Sequence, residues 1–465
     1  TYRKLYYLFQ LDYARTFGQH EVSLMGVFNR EKNATGSSFP HYREDWVFRT
    51  TYNYAMKYFF EANGAYNGSE KFGPEHRFAF FPSFSLGWML SEEKFMKKLK
   101  FIDMLKFRAS WGQIGDDNVT SNYLFQDQLS YGGNTLLGEI PSKTPYNYYR
   151  ITSLGNPNVS WETVEKRNLG IDYSFFGGLI AGSVDIFNDS RKDILIAGDK
   201  RAVPSYFGMT PAYANLGKVD SHGYELELRL NYVFNNGMRF WANTNMTHAV
   251  NKVKFRDDPV LTPDYLRQAG YAIGQTKSYI DSGFLQSWDD VYGSTELGTN
   301  NGNKLPGDFN IIDFNADGVI DSNDRAPYQY ASTPQNTYNA SLGFEWKGFS
   351  CFAQFYGVTN VTREVNFPTF RSTAHVAYAE GSYWTPGGNA TLPTPRWGTT
   401  VDAAATGTRY WYDGAYLRLK NVELSYTFKN NWLKKMGINS CRLYLHGDNL
   451  YMWTDMPDDR EANYG

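Results

Sequence analysis

Three features predict an all-β chain, specifically a transmembrane antiparallel β-barrel. Apolar and polar residues alternate with period two in segment after segment, and turn-forming residues separate successive segments. Aromatic content is 17% in a chain that is only 42% apolar. Side chains on a strand point to alternate faces, so each segment carries one apolar and one polar face. The 36 Tyr and 33 Phe of the 465 residues crowd toward segment ends, as interfacial aromatics do on a barrel. No stretch reaches the ~18 consecutive apolar residues of a membrane helix, whereas a barrel strand needs only about 9–11 alternating ones. Lys+Arg total 46 against Asp+Glu 48, a balance that does not point to nucleic acid.

In chain order, Leu5–Thr16 and His20–Arg30 flank Phe17-Gly18-Gln19. Trp46–Ala55 and Tyr58–Asn67 flank Met56-Lys57. Arg77–Leu90 and Met104–Ile114 form the next pair. Between them Ser91-Glu92-Glu93 reads as a capped turn, and Lys94–Lys100 as its solvated basic face rather than a membrane-surface helix. Residues 115–160 read as a long loop. Glu165–Phe176 and Leu179–Ser190 flank Gly177-Gly178, and a further loop runs to about Asp220. The clearest unit follows. Tyr224, Leu226, Leu228, Leu230 and Tyr232 alternate with Glu225, Glu227, Arg229 and Asn231. Asn235-Asn236-Gly237 supplies a hairpin turn, and Met238–Val250 returns.

Residues 251–335 read as the longest irregular stretch. Asn336–Trp346 and Phe349–Asn360 then flank Lys347-Gly348, and Tyr412–Phe428 and Ser440–Met452 form the last pair. Leu417 and Leu419 are odd-numbered, but Val422, Leu424 and Tyr426 are even. A one-residue slip would turn the strand inside out, so a β-bulge is expected near Lys420-Asn421. The total is about fourteen strands, with short turns at one end and long loops at the other, as in an outer-membrane barrel. By this alternation Leu226 and Leu228 face lipid, while Glu225, Glu227 and Arg229 face the lumen.

The strongest local motif is Asp313-Phe-Asn315-Ala-Asp317-Gly318-Val319-Ile320-Asp321-Ser-Asn-Asp324. Oxygen donors at positions 1, 3, 5, 9 and 12, with Gly at 6, follow calcium-loop spacing. Asp313, Asn315, Asp317, Asp321 and Asp324 would offer side-chain oxygens and Val319 its carbonyl, holding Ca²⁺ as a brace within loop 251–335. The alternative is an Asp-Gly turn with solvated acids. Catalytic residues are not expected: the histidines are scattered, and the sequence has no HExxH, no GxSxG and no P-loop. The paired acids Glu92-Glu93, Asp116-Asp117, Asp289-Asp290 and Asp458-Asp459 read as solvated loop residues. Cys351 and Cys441 read as unrelated buried thiols. Tyr146, Tyr148, Tyr149, Trp384 and Trp397 either stack on a sugar or peptide ligand or pack the loops together.

Several stretches resemble SusC/RagA-type TonB-dependent outer-membrane importers. They are Phe81-Pro-Ser-Phe-Ser-Leu-Gly-Trp88, Leu105-Lys-Phe-Arg-Ala-Ser-Trp-Gly112, Asn156-Pro-Asn-Val-Ser-Trp-Glu162 and Asn215-Leu-Gly-Lys-Val-Asp-Ser-His-Gly-Tyr-Glu225. Pro306-Gly-Asp308 before the Asp313 loop, Tyr416–Phe428 and Arg442–Leu450 are similar to the same family. The resemblance implies a barrel of about 22 strands, plugged by an N-terminal domain, lidded by a SusD-type lipoprotein, and energised by a TonB complex acting on the N-terminal region. It implies import of an oligosaccharide or peptide across the bacterial outer membrane. On this reading residues 1–465 are an incomplete receptor barrel, with plug, early strands and closing strand outside it. The rivals are a passive porin or adhesin on the same wall, and a secreted all-β carbohydrate-binding protein.

Overall fold

The computed structural model describes residues 2–36, 39–119, 122–135, 146–364, 383–388, 393–394, 407–408, 411–429, 433 and 435–456. Fourteen strands form one antiparallel sheet in chain order. They are β1 Tyr2–Phe17, β2 His20–Thr35, β3 His41–Tyr54, β4 Tyr58–Ser69, β5 Phe78–Met89, β6 Ile102–Asp116, β7 Glu162–Phe175 and β8 Ile180–Ile196. Then come β9 Ala214–Val233, β10 Arg239–Phe255, β11 Asn336–Trp346, β12 Phe349–Thr359, β13 Tyr416–Phe428 and β14 Cys441–Thr454. Each sequence-predicted strand has its counterpart here. The chain divides into two compact units, one of residues 1–231, 249–261 and 268–270, the other of the remainder.

In the first unit the strand registers align the period-two pattern into rows. Val22, Tyr52, Phe60, Leu86, Ala109, Leu169, Ile186 and Tyr224 pair in succession from β2 to β9. Leu86 is 59% exposed, Leu169 63% and Ile186 60%. An apolar row this open is a liability in water and an asset against hydrocarbon. A neighbouring row on the opposite face reads Ser23, Thr51, Glu61, Ser85, Ser110 and Asn168. In the second unit Phe240, Phe344, Cys351, Leu424 and Leu445 form the apolar row. Asn243, Ser341, Gln354, Asn421 and Asp448 form the polar one.

The bulge falls where the phase slip places it. Gln354 pairs with Asn421 and Phe355 with Leu419, which leaves Lys420 as the extra residue. The short turns use the backbone their residues permit: Lys347 and Gly348 both have positive φ, 48° and 91°, the geometry of a two-residue hairpin.

The structure corrects four expectations. Residues 115–160 are not all loop: Gln128–Thr135 pairs with Tyr146–Ser153. Residues 251–335 are not irregular throughout. β10 extends to Phe255, and beyond it Gln275–Tyr279 pairs with Arg325–Ala331, and Asp281–Phe284 with Phe309–Ile311. Leu297, Phe309, Ile311 and Ile320 give this segment its own buried core. β13 begins at Tyr416, because Trp411–Asp413 pairs instead with Thr362–Glu364. Ser91 caps no helix: residues 90–98 make two 3₁₀ turns without a side-chain cap. The first three share a cause. Short strands of three to eight residues carry too few alternations to stand out.

Candidate functional site

The polar face of the first unit carries a network of paired charges. Arg108 on β6 donates from Nε and Nη2 to the two Asp172 oxygens on β7, each at 2.8 Å. Its Nη2 also reaches Asp185 on β8 at 2.9 Å. Register places Gly170 between Arg108 and Asp185. An ideal Cβ on Gly170 would stand 2.5 Å from Asp185 Oδ1 and 2.8 Å from Arg108 Cζ, so only glycine leaves the crossing open. Lys166 pairs with Asp189 at 3.0 Å and Arg49 with Glu61 at 2.9 Å on the same face.

Nearer the long loops, Arg191 pairs with Asp116 at 2.9 Å and closely with Glu162. Glu162 Oε1 accepts from the Leu195 N–H at 3.0 Å, where the β8–β9 register shifts. Beside it, Asn215 Nδ2 donates to the Ser160 carbonyl and Asn215 Oδ1 accepts from the Ser160 N–H. Asn156 donates to the Tyr213 carbonyl, and the Trp161 indole to the Arg77 carbonyl. Phe72, Phe81, Leu124, Val159 and Trp161 form a buried cluster here. Phe81, Asn156–Glu162 and Asn215, quoted above only for a resemblance, therefore meet as one knot that ties the loop roots to the sheet. Spacing alone gave no signal of this, because the partners are far apart in sequence.

The Asp313 loop is braced by its own main chain. Asp313 accepts from the Asp317 and Gly318 N–H groups, and Asn315 Oδ1 and Asp317 Oδ1 accept from those of Asp317 and Val319. Asp321 accepts from the Asn323 N–H. Asp324, fully buried, accepts from the N–H groups of Phe314, Asn315 and Asp321. Val319 lies in a two-residue strand paired parallel with Glu296–Leu297. Tyr265 packs edge-on against Phe314 and donates to the Asn323 carbonyl. Burial, reinforced by the nearby Asp324, Asp317, Asp321 and Asp313, pushes its phenol above the ordinary value. Among the described residues no three His, Cys, Asp or Glu side chains converge as a metal-binding group. The donor types suit a hard cation, and an oxygen that accepts one N–H keeps a further lone pair for it.

The loop aromatics make neighbouring contacts, while Tyr146, Tyr148 and Tyr149 remain exposed. Tyr148 lies over Gly132, and Tyr131 meets Tyr149 edge-on at 5.9 Å. Trp384 lies over Gly307 and donates to Gln286. Trp397 and Asp458-Asp459 fall outside the described residues. Sequence reasoning missed Trp288 and Tyr292, an exposed pair 6.0 Å apart on the helix Trp288–Gly293. That helix is closed by a Ser287–Asp290 capping box, the one available signal. The other paired acids are also engaged: Asp117 pairs with Arg43, and Glu93 accepts from Tyr58. Cys351 and Cys441 are free thiols, half-exposed rather than buried.

A charged row and an apolar row on opposite faces of one wall, with folded loops beyond it, can line a wet passage through a membrane. Known proteins agree. A family model described as TonB dependent receptor-like, beta-barrel, matches residues 2–450. TonB-dependent receptor P3 of Formosa agariphila is 27% identical, over 98% of this chain and 48% of its own. TonB-dependent receptor SusC of Bacteroides thetaiotaomicron is 23% identical, over 83% of this chain and 38% of its own. The RagAB peptide importer in its "open-open" state superposes with a TM-score of 0.74 at 19% identity, over 98% of this chain and 52% of that one. This last is a likeness of fold. The chain spans about half the length, or less, of the curated relatives it matches.

Proposed function

Since this chain belongs to the TonB-dependent receptor-like β-barrel family, we propose that it walls an energised importer of a bulky nutrient, an oligosaccharide or a peptide. The family is one of outer-membrane transporters and receptors rather than enzymes. The two-faced wall carries the proposal: Leu86, Leu169 and Ile186 stand open on one face, and Arg108, Asp172 and Asp185 are paired on the other. A solute would move along a surface already neutralised pair by pair, so no single fixed charge traps it. Energy would come from a TonB complex acting outside this segment, and a SusD-type lipoprotein would cover the long-loop side. The neighbours named SusC and RagAB support both partners, and RagAB is named a peptide importer; the oligosaccharide class rests on the sequence resemblance alone.

Calcium at the Asp313 loop is part of the same proposal in a bracing role. Asp313, Asn315, Asp317 and Asp321 would hold it with lone pairs that their main-chain hydrogen bonds leave open.

The test is uptake in the native host. Deleting the full-length gene is expected to abolish uptake of one labelled class, oligosaccharide or peptide. Collapsing the proton-motive force in the wild type should do the same. Uptake that persists after the collapse would instead indicate a passive pore.

A further inference from the structure

The turn between β5 and β6, residues 90–101, carries chemistry that import does not use. It sits at the short-turn end of the first unit. Phe95 is 61% exposed, and Leu99 and Phe101 are exposed beside it. Phe101 stacks on Phe176 at 5.7 Å and lies 6.3 Å from Phe175, the last outward residue of β7. Phe101 therefore continues the apolar face of the wall, with Leu99 and Phe95 exposed close to it in the same turn.

Two aromatics of that face fix the turn in place. Tyr58 Oη donates to Glu93 at 2.6 Å and Trp88 Nε1 at 3.3 Å, with Lys57 Nζ at 3.5 Å. The Glu93 carboxylate is thus already engaged. Lys94, Lys97, Lys98 and Lys100 are all exposed. Glu92 stands 3.3 Å from Lys97 as an open pair, which screens little. Asp103 is turned to Ser174 and the Gly178 N–H. A merely solvated basic turn would account for the lysines. It would not account for three exposed apolar side chains beside them, of which Phe101 adjoins the lipid-facing row.

We propose that residues 90–101 dock anionic glycerophospholipids, with lysine ammonium groups on headgroup phosphates and Phe95, Leu99 and Phe101 at the acyl boundary. The occupant follows from charge complementarity and from continuity with the lipid-facing wall. Short turns of such barrels face the periplasmic leaflet, where the lipids carry glycerol-linked phosphate. The inference rests on the reading that the outer face meets lipid. Each lysine near an anionic surface is worth about a fivefold preference.

The intact protein is reconstituted in nanodiscs of equal phosphatidylcholine and phosphatidylglycerol, then stripped with detergent, and retained lipids are counted by mass spectrometry. The wild type is expected to retain phosphatidylglycerol in at least severalfold excess. Replacing Lys94, Lys97, Lys98 and Lys100 by Gln should reduce the ratio to about one, and replacing them by Arg should preserve it. Lys200→Gln, an exposed long-loop lysine, should change nothing. Equal ratios in the wild type and the Gln variant, or an equal loss in Lys200→Gln, overturns the proposal. Failure to enter nanodiscs at all would count against the barrel reading itself, and the inference would fall with it.

Discussion

The Arg108 guanidinium reaches Asp185, two strands away, at 2.9 Å by passing over Gly170. A Cβ at that glycine would occupy the path of the charge pair. Gly170→Ala is therefore expected to lower stability by about 1–3 kcal/mol through overpacking. Asp185→Asn, which keeps the room and an acceptor, should cost less. Thermal unfolding in one detergent, read by loss of the folded gel band, orders the two variants.

Glycines elsewhere are covered rather than crossed. The Phe48 ring on β3 lies over Gly64 on β4, with Cζ 2.1 Å from where a Cβ would sit. This is an aromatic ring sheltering a bare backbone on a strand. Gly64→Ala should destabilise by about 1–3 kcal/mol, and the added change Phe48→Leu should recover part of that loss. A double-mutant cycle showing strict additivity would mean that the ring and the glycine are not coupled.

Neighbouring residues on β9 should respond oppositely to the same charge. Leu228 belongs to the apolar face, whereas Glu227 pairs with Arg229 at 3.1 Å on the polar one. Leu228→Arg is expected to cost about 2–4 kcal/mol near the bilayer midplane. Glu227→Arg should leave folding nearly unchanged and alter solute selectivity. Unfolding titrations in vesicles measure the first effect, and solute flux the second.

Asp324 accepts three main-chain N–H groups while fully buried. Asp324→Ala leaves those donors unpaired at about 1–3 kcal/mol for such a group. Amide hydrogen exchange should rise across residues 313–324 and remain unchanged in the sheet. Titration of the intact protein with Ca²⁺ tests the bracing ion separately: heat that disappears in Asp313→Ala supports it, and no heat in the wild type removes it.

Glu93 supplies a pH dependence. Hydrogen bonds from Tyr58, then Trp88, hold its carboxyl below the ordinary value of 4.5. A lowered carboxyl contributes stability above its unfolded value and loses it as pH falls through the folded one. The Trp88 indole NMR signal should therefore hold steady down to about pH 4.5 and shift below it. In Glu93→Gln that acid transition should be absent.

The wall was legible in the sequence because alternation repeats over ten or more residues in each strand, and because Lys420 breaks the phase visibly between Leu419 and Val422. What the sequence did not reveal depends on contacts distant along the chain. The Ser160–Asn215 pair, the reach of Arg108 to Asp185 and the core of Phe309, Ile311 and Ile320 depend on register between strands, which composition does not encode. The acids of the Asp313 loop have calcium-loop spacing, yet spacing does not decide whether a cation joins the main-chain N–H groups they accept from.

The most direct test labels β9 residue by residue. Single cysteines replacing Glu225, Leu226, Glu227 and Leu228, in reconstituted full-length protein whose native thiols, Cys351 and Cys441 among them, are changed to Ala, carry spin labels, and collisions with oxygen and with a water-soluble nickel complex are compared. The account predicts oxygen-dominated collisions at Leu226 and Leu228, and nickel-dominated collisions at Glu225 and Glu227. A reversed pattern, or four equal values, would contradict a wall with hydrocarbon outside and water within.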